Sequence, residues 1–281
     1  MFKYNGKLLS EVHYIFYFAR VWQKRLVRII YWLINDNKYA TKTLEINLPY
    51  RYAKHSSKLI RNYSDDPRDK EWQINKVTNL NIAILRINRV LILPSQTFSF
   101  CKLVGRPTKK KGYIEGMELS RGKARSGIGG GLCQLSNLLN WLAWHTPLKI
   151  VERSIHSFDP FPDSNRALPF GSGAAIFWNY VDLQIFNPTD KVFQIVLWTD
   201  DNSLKGELRC SARPKFKYSV CEKNPYFTCK NDDWYRSNEI WRKVFERGQN
   251  QAVEKFLYEE HLASNFSKVC YKPDLNKYEV K

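Results

Sequence analysis

Residues 126–146 read SGIGGGLCQLSNLLNWLAWHT. Three consecutive glycines, Gly129, Gly130 and Gly131, stand just ahead of Cys133, and an apolar run follows. Glycine is the residue that accepts φ > 0 and lets the backbone approach another group. The stretch therefore predicts a loop traced by glycine that runs into a helix over about 133–145, stopped ahead of Pro147. The fold is built outward from this loop and helix.

Upstream, Ile74, Val77, Leu80, Ile84, Ile87 and Leu91 fall at helical spacing and predict a helix over 73–90, ended by Pro94. TFSF reads as a short strand with Phe98 and Phe100 on one side, and GRPTKKKGY as a basic turn. NYSDDPRDKEW reads as an exposed connection. Further back, residues 10–34 predict an amphipathic helix capped by Ser10. Val12, Ile15, Phe16, Ala19, Trp22, Leu26, Ile29, Ile30 and Leu33 form one face, and His13, Arg20, Lys24 and Arg28 lie opposite. The preferred reading packs this helix on the core; the alternative lays it on an anionic membrane.

Downstream, LKIVERSIHSF alternates around Ile150 and leads into the proline-rich DPFPDSNRALP. AAIFWNYVDLQIFN and KVFQIVLWT read as strands, and DDNS turns the latter into LKGELRC as a hairpin. The pattern implies an α+β fold: N-terminal helices, then a mixed or antiparallel sheet, with the glycine loop leading into a central helix. Three regions follow: a helical and irregular 1–72, a core 73–210, and a basic, aromatic C-terminal extension 211–281 of mixed or β character.

The chain has 281 residues, 43% of them hydrophobic, enough for a sizeable core. Its 45 lysines and arginines against 27 acidic residues give a net charge of +18, which favours anionic partners. The N-terminus lacks an uninterrupted apolar core and a small-residue cleavage site, and Arg20, Lys24, Arg25 and Arg28 break the run needed to span a bilayer. A cytoplasmic protein, peripheral to the membrane at most, is expected. The six cysteines without a secretion signal do not read as a disulfide framework, and no CxxC pair suggests zinc. No metal or cofactor is expected. No helix-turn-helix, zinc finger or RNP motif is readable, so nucleic acid is not an expected partner.

Cys133 falls in the first turn of its helix, where unpaired N–H groups and the helix dipole lower a thiol pKa. The same N–H groups, near Gly131 to Gln134, suit an oxyanion, and Gly129, Gly130, Gly131, Gln134, Ser136 and Arg153 form the candidate anion-binding set. A thiol nucleophile needs a base and a group to orient it. His156 supplies the base. Asp182, on the next long strand, is one orienter; Glu152, on the same strand face as His156, is the other. The competing reading makes Cys133 a small buried residue, His156 a satisfied half-buried one, and Asp182 a turn cap or a partner of Arg153. Cys101 is a weaker nucleophile candidate, and a dipole contact at the helix end accounts for His145. GGGLCQ matches no nucleotide-binding motif.

LPSQTFSF, GYIEG, GIGGGLCQLSNLL, TPLKIVERSIHS and YVDLQIFN together resemble the VanW family over about Asn75 to Arg209. Pro94-Ser95-Gln96 departs from the usual Pro-Gly-Glu, and the tail beyond 211 matches weakly. The resemblance implies a link to vancomycin resistance and to cell-wall, peptidoglycan metabolism, without fixing a reaction. It marks Gly129, Gly130, Gly131, Cys133, Gln134, Ser136, Glu152, Arg153, His156 and Asp182 as its signature positions. Two functions follow as expectations. One is cysteine-dependent acyl transfer or amide hydrolysis by Cys133 and His156. The other is a non-catalytic module that binds an anionic cell-wall precursor through the glycine loop, or a membrane surface through the basic N-terminal helix.

Overall fold

The computed structural model describes residues 3–4, 7–8, 14–61, 66–120, 123–156, 158–159, 162, 168–248, 254–274 and 278–280. Among the described residues, four α-helices and several antiparallel sheets make the fold α+β, as the pattern predicts. The helices are α1 (Tyr14–Ile34), α2 (Pro67–Ile87), the short α3 (Phe100–Val104) and α4 (Cys133–Trp144).

The central sheet has four antiparallel strands in the order Tyr50–Lys58, Ser203–Cys210, Phe193–Thr199, Leu91–Ile92. Helix α4 lies on it with Leu135, Leu138, Leu139, Leu142 and Ala143 fully buried. Each such leucine contributes roughly 1.5–3 kcal/mol of burial. The close approach rests on Gly206, where a methyl group would come within 3.0 Å of Leu138 and Leu142. Helix α2 packs on the Phe193–Thr199 strand and on the hairpin Glu115–Ser120/Lys123–Ile128. A three-stranded sheet, Thr97–Ser99, Gln184–Phe186, Lys149–Glu152, adds Phe98 and Ile185 to the same core.

Helix α2 starts six residues before the predicted 73. Asp66 caps it, accepting from the Arg68 N–H at 2.9 Å, and Pro67 follows in the first turn. This is an Asx–Pro helix start inside the stretch read as a connection. The run AAIFWNYVDLQIFN is mostly not strand: a turn at Phe177–Val181 leaves only Gln184–Phe186 in the sheet. His156 likewise lies beyond the strand that ends at Glu152.

Helix α1 departs most from expectation. It turns Val21, Arg25, Arg28 and Trp32 towards the protein, while Trp22, Leu26, Ile30 and Leu33 of the predicted packing face are exposed. Ser10, Val12 and His13 lie outside the described residues.

Residues beyond 211 form three long antiparallel strands, Phe216–Lys230, Asp233–Arg247 and Glu254–Val269. The middle strand reaches the core. Arg242 donates to the Trp144 and Thr146 carbonyls at 3.1 and 2.7 Å, closing the C-terminal end of α4.

Candidate functional site

One large cavity, about 1210 Å³, opens beside the glycine loop. Cys133 and Gln134 of α4, Gln73 and Lys76 of α2, His156, and the segment from Leu168 to Trp178 all line it.

The loop owes its shape to two left-handed glycines, Gly129 at φ +80° and Gly131 at φ +92°. Its N–H groups divide. Those of Gly129, Gly130 and Gln134 are satisfied by the Ile114, Gly127 and Gly131 carbonyls. Those of Gly131 and Leu132 donate to no acceptor among the described residues, and that of Cys133 meets only its own thiol. Of the expected donors near Gly131 to Gln134, the Gln134 N–H is already used within the turn. The side chain of Gln134 is also engaged, donating to Ser57 Oγ at 2.9 Å and the Lys58 carbonyl at 2.8 Å.

Cys133 belongs to a row of polar side chains on α4. Its thiol faces the Ile176 carbonyl at 4.0 Å. Ser136 Oγ donates to the Ala174 carbonyl at 2.6 Å, Asn137 Oδ1 accepts from the Ala174 N–H at 2.6 Å, and Asn140 donates to the Ser172 carbonyl at 2.9 Å. The positions 133, 136, 137 and 140 share one helical face. Together they fasten a strap, residues 171–176, along the helix. Arg153 completes the attachment, donating to the Gly173 carbonyl at 2.8 Å and to the Gly171 carbonyl, and lying 4.8 Å over the Trp144 ring. Burial lowers the Arg153 pKa to about 10. Ser136 and Arg153, expected in the anion site, are not among the residues lining the cavity; their hydrogen bonds hold the strap that does.

Burial pushes the Cys133 thiol up, against the lowering expected from the helix dipole. The desolvation of an enclosed thiol exceeds the field of one helix end. Cys101, fully buried, is pushed up as well, chiefly by burial and then by Asp182 beside it. Burial lowers His156, so the imidazole is neutral at pH 7. No hydrogen bond or ion pair of its ring occurs among the described residues; only its carbonyl is engaged, by Ser267 Oγ at 3.4 Å.

The two predicted orienters lie elsewhere. Asp182, wholly buried, accepts from Ser99 Oγ at 2.6 Å and from the Cys101 N–H at 2.8 Å, with Arg28 Nη1 at 3.4 Å. Glu152 accepts from Arg28 Nη2 at 2.6 Å, the Asp182 N–H at 3.1 Å and Gln184 Nε2 at 3.1 Å. Neither carboxylate bonds to His156. Both secure α1 to the sheet through Arg28. Burial raises the Asp182 pKa, while its hydrogen bonds and Arg28 act in the opposite direction.

Helix α2 contributes what the apolar count overlooked. Gln73, Lys76 and Asn79 recur every three residues and are all buried, whereas Ile74 is 57% exposed. Asn79 donates to the Ile114 and Gly130 carbonyls at 3.0 and 2.9 Å and accepts from the Ile114 N–H at 3.0 Å. It thereby fixes the glycine loop. Lys76 presses its aliphatic stem on Gly131 and donates from Nζ to Gln73 Oε1 at 2.5 Å. Burial, then the Arg61 charge, brings its pKa down to about 7. The spacing of three polar residues on one face of an amphipathic helix was the signal available in the sequence.

The cavity is electropositive. Arg25, Lys58, Arg61, Lys76 and Arg106 line it, against Glu118 and Asp159. Both carboxylates are already paired, Glu118 with Arg125 at 2.6 Å and Asp159 with Arg236 at 3.7 Å. Two buried donors or acceptors on its wall, His55 Nε2 and Trp178 Nε1, have no hydrogen-bond partner among the described residues. Such a surface suits an anionic ligand carrying further hydrogen-bonding groups.

Residues 75–209 match the family model described as VanW like protein. The chain is 32% identical over 234 residues to the vancomycin B-type resistance protein VanW of Enterococcus faecalis, covering 83% of this chain and 82% of that one. It is 30% identical over 112 residues to the uncharacterized protein YoaR of Bacillus subtilis, covering 39% of this chain and 34% of that one. No solved structure matches.

Proposed function

From the premise that the chain belongs to the VanW family, we propose that it is an accessory protein of glycopeptide resistance acting in cell-wall metabolism, and that its cavity binds an anionic, carboxylate-bearing wall precursor. The carrying observation is the cavity's charge: five basic residues line it beside the Gly131 and Leu132 N–H groups, which have no acceptor among the described residues, and its two carboxylates are paired elsewhere. A ligand carboxylate would meet the Gly131 and Leu132 N–H groups and Lys76, while His55 and Trp178 hydrogen-bond its uncharged part. The setting is the cytoplasm, in keeping with six free cysteines. Calorimetric titration with acetylated dialanine tests this, with its C-terminal amide as the uncharged control. Binding of the acid at least about tenfold tighter than the amide, weakening with salt, is expected. Equal affinity, or none for either, overturns it.

A second reading is favoured by one observation: Cys133 and His156 line the same cavity, and burial keeps His156 neutral, as a general base must be. In that reading Cys133 Sγ attacks an amide carbonyl while His156 takes the thiol proton. His156 then gives the proton to the leaving amine, and a thioester on Cys133 passes to water or to an amine acceptor. Trapping the thioester by mass spectrometry from the same acetylated peptides, lost in Cys133→Ser, tests this reading separately from binding.

A further inference from the structure

Helix α1 is amphipathic in an inverted sense. Its inward face carries arginines and its outward face carries the apolar residues. Arg28 is held by Glu152 at 2.6 Å and Asp182 at 3.4 Å, and Arg25 donates to the Trp178 carbonyl at 3.3 Å and lies 5.0 Å over its ring. Asn179 Nδ2 in turn donates to the Arg25 carbonyl at 3.1 Å. Val21 and Trp32 complete the inward row. These contacts fix the rotation of the helix about its own axis. The opposite face, Trp22, Leu26, Val27, Ile30, Leu33 and Ile34, is between 45 and 75% exposed. It extends for much of a helix about 31 Å long. An apolar strip of that length on a soluble face marks an interaction surface.

We propose that this strip lies in the interface of an anionic lipid bilayer, holding the protein flat on the membrane. Three observations select this occupant. No helix of the described residues is long and apolar enough to cross a membrane, so insertion across the bilayer is not its use. Arg20, bonded along the helix to Gln23, and the exposed Lys24, whose Nζ lies 4.8 Å over the Tyr180 ring, flank the strip on one side and bring positive charge to the headgroup level as the apolar residues enter the acyl boundary. The whole chain carries +18, which attracts an anionic surface and repels a second copy of itself. Trp22 at one side of the strip suits the headgroup level. The proposal stands apart from the cavity and from any chemistry at Cys133.

The test is co-sedimentation of the purified full chain with vesicles of phosphatidylcholine alone or enriched in phosphatidylglycerol. The wild-type chain is expected to pellet with the anionic vesicles and to lose affinity as salt rises. Leu26→Glu with Ile30→Glu places two charges on exposed positions and should lower partitioning at least about tenfold, with circular dichroism and melting unchanged. Lys24→Glu should weaken binding to anionic vesicles alone. Three results overturn the proposal: wild-type chain that ignores both vesicles, a double-glutamate variant that binds as well as wild type, or a wild-type dimer in sedimentation that the same variant dissolves.

Discussion

The Lys76 side chain rests on the Cα of Gly131, so a methyl group at residue 131 would occupy the space of Lys76 Cγ. Gly131 also sits at φ +92°, which side chains avoid. Gly131→Ala therefore combines backbone strain with a clash against a buried stem. A loss of about 2–4 kcal/mol in chemical denaturation is expected, larger than for Gly112→Ala, where a methyl meets only the Ile82 terminus at 3.4 Å.

The low pKa of Lys76, about 7, makes stability depend on pH. Its folded value lies below the ordinary 10.5, so between pH 10.5 and 7 the unfolded chain binds more protons. Stability from this group is full above pH 10.5 and is lost as pH falls to about 7, by up to roughly 4–5 kcal/mol. Lys76→Met should remove that slope and stabilise the protein at neutral pH. Denaturation of both proteins across this range, compared as a difference, reads it directly.

Binding of a carboxylate beside Lys76 should raise its pKa again. At pH 8 the acetylated dialanine of the binding assay is then taken up with close to one proton. Calorimetry in buffers of different ionisation enthalpy measures that uptake, which Lys76→Met abolishes.

Cys133 has a raised pKa and an enclosed thiol, whereas Cys229 and Cys270 are exposed. Iodoacetamide at pH 7 should label Cys229 and Cys270 first and Cys133 slowly. Fast labelling of Cys133, read by peptide mass spectrometry, would point to a thiolate and to the thiol-enzyme reading.

Arg28 neutralises Asp182 and Glu152 together. Arg28→Met leaves a wholly buried carboxylate without its counter-charge, at a cost of about 3–5 kcal/mol. Asp182→Asn added to it should recover part of that loss, measured by thermal melts of the single and double variants.

The sequence made the glycine loop, α4 and the hairpin Phe193–Thr199/Ser203–Cys210 readable, because each has a strong local signal: positive-φ residues, helical spacing, alternation around a turn. The face of α1 was misassigned because periodicity reports which residues share a side, not which side meets the protein. Arg28 finds its carboxylates 124 and 154 residues away, beyond any local pattern. Asp182 and Glu152 looked like orienters of His156 by chain order, yet Ser99, Cys101, Gln184 and Arg28 occupy them. Lys76 was passed over because a lysine on an amphipathic helix ordinarily faces solvent, and here it lies under a loop that only glycine can form.

The fastening of the strap along α4 is graded. At the Ser172 and Ala174 rungs the hydrogen bonds are 2.6–2.9 Å long, while at Ile176 the thiol contact stretches to 4.0 Å. Sulfur makes the weakest bond of the series at the end nearest the glycine loop. Beside it the Ala175 N–H donates to the Ser154 carbonyl at 2.7 Å, so the strap stays tied there without the thiol. Cys133 is thus the one side chain of the row whose sulfur faces the cavity without being committed to the wall's hydrogen bonding.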